Sequence, residues 1–168
     1  MKTLLMIAVL LIITPMSQAQ RVAHINTNEL LDLMPEKLAA QNELTIIRVE
    51  LERHLQSMEI KFQEAYTEIA EHSEGWSPVV IKMKEDQIIQ MQHAIEEFQV
   101  SAQQELERRE VELFEPIIAK AKAAINAVAS KEGYDYIIDS SIGSLLVMPN
   151  NRDIIDLVQN ELGIVIIE

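Results

Sequence analysis

Four histidines and many carboxylates are the side chains of this 168-residue chain that could carry acid–base or metal chemistry. Cysteine is absent, which removes thiol nucleophiles, thiolate metal sites and disulfides. His24 lies in a strand-like segment, whereas His54, His72 and His93 lie in helical stretches. His54 and His72 are 18 residues apart. On a straight helix that is about 27 Å, too far for one chain to share a metal between them. Glu50/His54 and Glu68/His72 are four residues apart and read as solvated helix neighbours. Glu85-Asp86 and Glu96-Glu97 sit in charged stretches with no apolar pocket signalled beside them to tune an acid or a base. No phosphate-binding loop, G-x-S-x-G elbow or H-E-x-x-H pair occurs. The expectation is a protein that is not an enzyme and takes no cofactor and no metal.

The apolar side chains carry a clearer message. Met58, Met83 and Met91 share the helical region with Phe62, Tyr66, Phe98 and the sole tryptophan, Trp76. Methionine adapts to varied apolar partners. Met58, Phe62, Met91 and Phe98 fall on the helical periodicity, so they read first as a seam between two helices. Trp76 falls in a turn and Met83 off the stripe, so exposure for contact is the competing reading for both. Met58, Phe62, Tyr66, Trp76, Met83 and Met91 are the candidate contact residues.

Long helices must hold these positions. Residues 36–131 contain one glycine, Gly75, and two prolines, Pro78 and Pro116. The reading is an antiparallel, coiled-coil-like helical hairpin with its tip near residues 73–79. Leu44, Ile47, Leu51, Leu55, Met58, Phe62, Tyr66 and Ile69 recur at steps of 3-4-4-3-4-4-3. That eleven-residue repeat, about 3.67 residues per turn, suits a nearly straight helix pair. Ile88, Met91, Ile95, Phe98, Ala102 and Leu106 make the returning stripe. A first arm of 37 residues would be roughly 55 Å long and must project from a small domain.

Around the hairpin the fold class is α+β, with a small β-body assembled from both chain ends. Residues 20–35 and 117–168 form the body, and residues 36–116 form the arm, with a kink and junction near Pro116. Residues 22–26 alternate like a strand, and Thr27 or Asn28 is placed to cap a short helix over 29–34. Pro35 opens the first arm. Ile117, Ala121, Ile125 and Val128 stripe the last helix, and Gly133 fits the position past its end. Strands follow at 134–139 and 145–148, with a turn of hairpin length between them. A closing helix spans 153–162, capped by Asn150 or Asn151 and ended by Gly163, before a last strand candidate at 164–167.

Residues 1–19 read as a secretory signal: Lys2, an apolar run over residues 4–13, then Ser17-Gln18-Ala19 as the cleavage site. Cleavage after Ala19 leaves 13 Lys+Arg against 27 Asp+Glu, net −14. Such a surface repels nucleic acid and anionic lipid, so neither nucleic acid nor stable membrane insertion is expected. Only transient proximity to a membrane remains.

The order of signal, RVAHINTNELLDLMPEKLAAQNEL, long charged helices and ELFEPIIAKAKAAINAVASKEGYDYIID resembles the Skp (OmpH-like) periplasmic chaperones of Gram-negative bacteria. The specificity lies in Glu29 and Leu30 and in the block from Pro116-Ile117 through Glu132-Gly133-Tyr134-Asp135-Tyr136. The resemblance implies a homotrimer with a shared β-barrel core, periplasmic and independent of ATP, whose arms enclose unfolded outer-membrane β-barrel proteins. It places Val22, Ile25, Tyr136, Ile138, Leu145 and Val147 at the trimer interface. One departure stands out. Known members are basic, whereas residues 36–131 here hold 11 Lys+Arg against 18 Asp+Glu, net −7. That puts capture of acidic clients and any lipopolysaccharide site in doubt. The alternative reading is an envelope structural or adaptor protein whose hairpin binds one specific partner.

Overall fold

The structure is a computed structural model and describes residues 20–143, 147 and 149–164. The signal reading of residues 1–19 lies outside the described residues, as do Leu145, Leu146 and Met148 of one expected strand and residues 165–167 of another. Six elements follow one another: β1 (Val22–Ile25), α1 (Thr27–Leu33), α2 (Pro35–His72), α3 (Pro78–Glu132), β2 (Tyr136–Asp139) and α4 (Ile155–Leu162). The described residues divide into two compact units, residues 28–123 and, from both ends, residues 20–27 with those described between 124 and 164.

Residues 28–123 are helical hairpin. Met34 is extended, with φ −79° and ψ 120°, because the ring of Pro35 disfavours a helical residue before it. Pro35 then starts α2, 38 residues long, and a short 3₁₀ turn at Ser73–Gly75 separates it from the 55 residues of α3. Pro116 is accommodated inside α3. Three contacts fix the pair as antiparallel: Glu36 with Lys120, His54 with Phe98, and Glu68 with Lys84. Leu30, Met34, Ala40, Ile117 and Ala121 are buried at the open end of the hairpin. Along the rest of the seam Leu44, Ile47, Leu51, Leu55, Met58, Phe62 and Ile69 are only half-buried. Tyr66 departs from the expected stripe and is 57% exposed.

In the other unit, β1 and β2 pair in parallel, with Val22 opposite Tyr136 and Ile25 opposite Asp139. Ala23, His24 and Ile25 are buried in succession, so β1 lacks the expected alternation, as befits a parallel strand covered on both faces. The expected hairpin partner for β2 is not seen among the described residues. Val147 belongs to no strand and is 85% exposed. The helix caps also differ. Thr27 lies inside α1, and its hydroxyl donates to Asp139 Oδ2 at 2.7 Å. Asp139 also accepts from the backbone N–H of Ser141 at 2.9 Å. Asp139 Oδ1 accepts from the Thr27 N–H at 3.4 Å, so a carboxylate 112 residues away meets the start of α1 in place of the expected local cap. At α4, Asn150 and Asn151 form a 3₁₀ turn instead, and Asp153 Oδ1 accepts from Ile155 N–H at 3.0 Å.

Arg21 closes the C-terminal end of α3. Its guanidinium donates to the Glu132 carbonyl and stands 5.1 Å from the Tyr134 ring centre, while its N–H donates to Asp135 Oδ2 at 2.7 Å. Gly133 is left-handed there, at φ +71°, and a Cβ on it would come within 3.2 Å of Arg21 Nη1. Gly133→Ala is therefore expected to cost roughly 1–2 kcal/mol of stability, read from the denaturant midpoint. Burial acts to raise the Asp139 carboxyl pKa, and hydrogen bonds from Ser141 and Thr27 overcome it, so the group is held below its ordinary value. A lowered carboxylate pKa stabilises the fold above the unfolded pKa, about 3.9, and that contribution is lost as pH falls through the folded value. Asp139→Ala is expected to cost roughly 1–3 kcal/mol at neutral pH. The gap to the wild type should narrow below about pH 4 in urea melts.

Candidate functional site

The hairpin offers a surface rather than a pocket of reactive groups. Among the described residues no cluster of three or more His, Asp and Glu side chains is placed to hold a metal ion. Midway along the pair, a groove of about 650 Å³ is lined by Ile47, Glu50, Leu51, His54, Phe98 and Arg109, among others. His54 packs its ring on Phe98 at 4.9 Å between centres, tilted by 49°. His54 is nonetheless exposed, so it keeps the solvated position expected of it while touching Phe98 across the seam. His24, in the other unit, is buried, and its Nε2 lies 3.1 Å from the Pro149 carbonyl.

Charged side chains flank the groove. Arg108 and Arg109 are both held by Glu105 and Glu112, within one stretch of α3. The Arg108 guanidinium hydrogen-bonded to Glu105 holds that carboxyl below its ordinary pKa, and Glu105 with Glu112 raises Arg108 in return. These groups are solvent-exposed, so the network contributes little to stability. At the hairpin's open end Lys120 lowers the Glu36 carboxyl in the same way.

The candidate contact residues divide. Met58, Phe62 and Met91 are half-buried in the seam, whereas Tyr66 and Met83 are 57% and 58% exposed. Trp76, at the turn, is half-buried with Lys84 Nζ 5.7 Å from its ring centre. Of the candidate interface residues, Ile25 is buried within its own unit and Val22 is half-buried. Tyr136 is 56% exposed and Ile138 38% exposed, while Leu145 lies outside the described residues.

Sequence periodicity followed the seam and passed over a second apolar pattern. Leu38, Val49 and Ile60 on α2, and Ile89, Val100 and Val111 on α3, are all exposed. The signal was available, since each set repeats every eleven residues.

The OmpH-like outer membrane protein family matches residues 21–162. The fold is similar to the crystal structure of an OmpH-like protein of Caulobacter crescentus CB15, a proposed outer membrane chaperone. The TM-score is 0.75 at 13% identity, covering 89% of this chain and 87% of that one. No curated protein matches the sequence. No helix among the described residues is long and apolar enough to cross a membrane.

Trp76 is the sole tryptophan, so its emission reports the hairpin tip directly. Lys84→Ala removes the cation beside the ring and the partner of Glu68. The expected outcome is a shift of the emission maximum to longer wavelength, by a few nanometres, with little change in thermal midpoint.

Proposed function

The chain belongs to the OmpH-like outer membrane protein family, and we propose that within it the protein is an ATP-independent periplasmic holdase. It sequesters unfolded outer-membrane β-barrel proteins against its helical hairpin and prevents their aggregation. The observation that carries this reading is the hairpin's incomplete burial. Past Ala40, α2 has no fully buried residue, and Tyr66, Met83 and Val79 stand exposed near the tip. Many shallow apolar positions give weak, exchangeable contacts whose sum retains a client without a deep pocket to prevent release.

The same reading makes the protein a homotrimer. Among the described residues the sheet has two strands of four residues each, and such a sheet is too small to be stable alone. Tyr136 and Ile138 leave apolar surface on β2 that neighbouring copies would cover. Three hairpins around a shared space would then hold the client at high local concentration.

Two measurements test this. The mass in solution at low concentration should be three times that of one chain, and a stable monomer would remove the shared space. Urea-diluted outer-membrane β-barrel proteins should scatter less light when the protein is in stoichiometric excess, and unchanged scattering would overturn the holdase. Saturation by one client with exclusion of all unrelated ones would point instead to an adaptor. The pair Tyr66→Ser and Met83→Ser is expected to weaken suppression about three- to eight-fold, from about 0.3–0.6 kcal/mol at each exposed site, without moving the thermal midpoint.

A further inference from the structure

Six exposed apolar residues of the hairpin form two rows, and neither belongs to the seam. Leu38, Val49 and Ile60 on α2 are 62%, 44% and 51% exposed, and Ile89, Val100 and Val111 on α3 are 52%, 59% and 61% exposed. Eleven residues come within about 20° of a whole number of turns, so each set lies along one line of its helix with steps of about 16.5 Å. Val49 is two positions from Ile47 and Leu51, and Val100 is two positions from Phe98 and Ala102. Two positions turn the helix by about 200°, which puts both rows on the outer faces, away from the seam.

Carboxylates punctuate those lines. Glu52 and Glu64 follow Val49 and Ile60 at helical spacing, Glu85 precedes Ile89, Glu96 and Glu97 precede Val100, and Glu107 precedes Val111. Arg53 and Arg108 are the cations at the same spacing, so carboxylates are in excess. Across residues 28–123 there are 10 Lys+Arg against 20 Asp+Glu, net −10. Five of those cations, Lys37, Lys84, Arg108, Arg109 and Lys120, are already held by the hairpin's own carboxylates. The outer faces therefore present apolar points set in negative potential. A second copy of the same face and an anionic lipid surface are both repelled by that field.

We infer that these rows dock cationic, apolar-bearing stretches of unfolded chain, so that clients are selected by positive charge. This rests on the holdase reading and names the client class for it. An extended chain rises about 3.3–3.6 Å per residue, so one apolar residue in about every five can meet a row while lysines and arginines between them meet the carboxylates. The field speeds encounter and orders the register, and the apolar points supply retention.

The test uses two unfolded peptides of about 30 residues, matched in mean hydropathy and carrying net charges of about +6 and −6. Each is titrated with the full-length protein by fluorescence anisotropy, at about 0.01 M and about 1 M salt, where the Debye length falls from about 30 Å to about 3 Å. The expected result is at least ten-fold tighter binding of the cationic peptide at low salt, with the gap closing at high salt. Equal affinities at both salts, or a preference for the anionic peptide, would overturn charge selection and leave the holdase standing. Failure to bind either peptide, together with unchanged aggregation of outer-membrane proteins, would remove both. The variant carrying Val49→Ser, Val100→Ser and Val111→Ser keeps every seam residue, and its fold is checked by thermal melting. Several-fold weaker binding of the cationic peptide is expected. Unchanged affinity, or a loss of concentration-dependent self-association in this variant, would overturn the rows as the docking face.

Discussion

Two helices lying side by side touch along a single line, and that limit governs the hairpin. Each seam residue is covered by the facing helix on one side and left open on the others. From Leu44 to Ile69 nothing is fully buried, although the spacing of apolar residues is regular throughout. Full burial returns at the open end, at Leu30, Met34, Ala40, Ile117 and Ala121. A globular core would have hidden the methionines and aromatic residues completely. The narrow seam keeps the pair long and leaves much of its apolar surface in reach of solvent, the property on which the proposed holding of clients rests.

The unit formed by the chain ends meets a different constraint. Its two strands are separated by more than a hundred residues, and closing an unstructured loop of that length costs about 4 kcal/mol beyond the constant term. Pairing of α2 with α3 shortens the effective loop, since it brings Glu36 to Lys120 and leaves short segments to span. Polar ties then fix the register. Asp139 holds Thr27, and Arg21 holds the end of α3 and Asp135. Each joins residues more than a hundred positions apart, which explains why a four-residue strand finds one partner and one alignment.

Charge adds a third layer that neither packing nor topology requires. The ion pairs of the hairpin lie on its surface, where each contributes little to stability. They occupy half of the hairpin's cations, and Arg48, Arg53, Lys61, Lys82 and Lys122 remain against a larger number of carboxylates, so the net field over helices with exposed apolar points is negative. Family membership does not dictate that sign. It is a property of this chain's residues, and it bears on which partners the surface admits.

The sequence by itself determined the long hairpin and its ends. Few breakers, a regular 3-4 spacing, Pro35 and the tip residues are local signals, and Gly133 and Gly163 both take the left-handed conformation expected past a helix end. It also showed that the candidate surface would be apolar and acidic. Tertiary structure alone decided the rest, because the deciding interactions are distant in sequence. The parallel pairing of β1 with β2, the capping of Thr27 by Asp139, the closure of α3 by Arg21 and the tilted ring contact of His54 with Phe98 each join segments that no local pattern relates. The position of Tyr66 shows the same division within one helix. Spacing placed it on the seam, and only the tertiary structure showed its side chain to be more than half exposed.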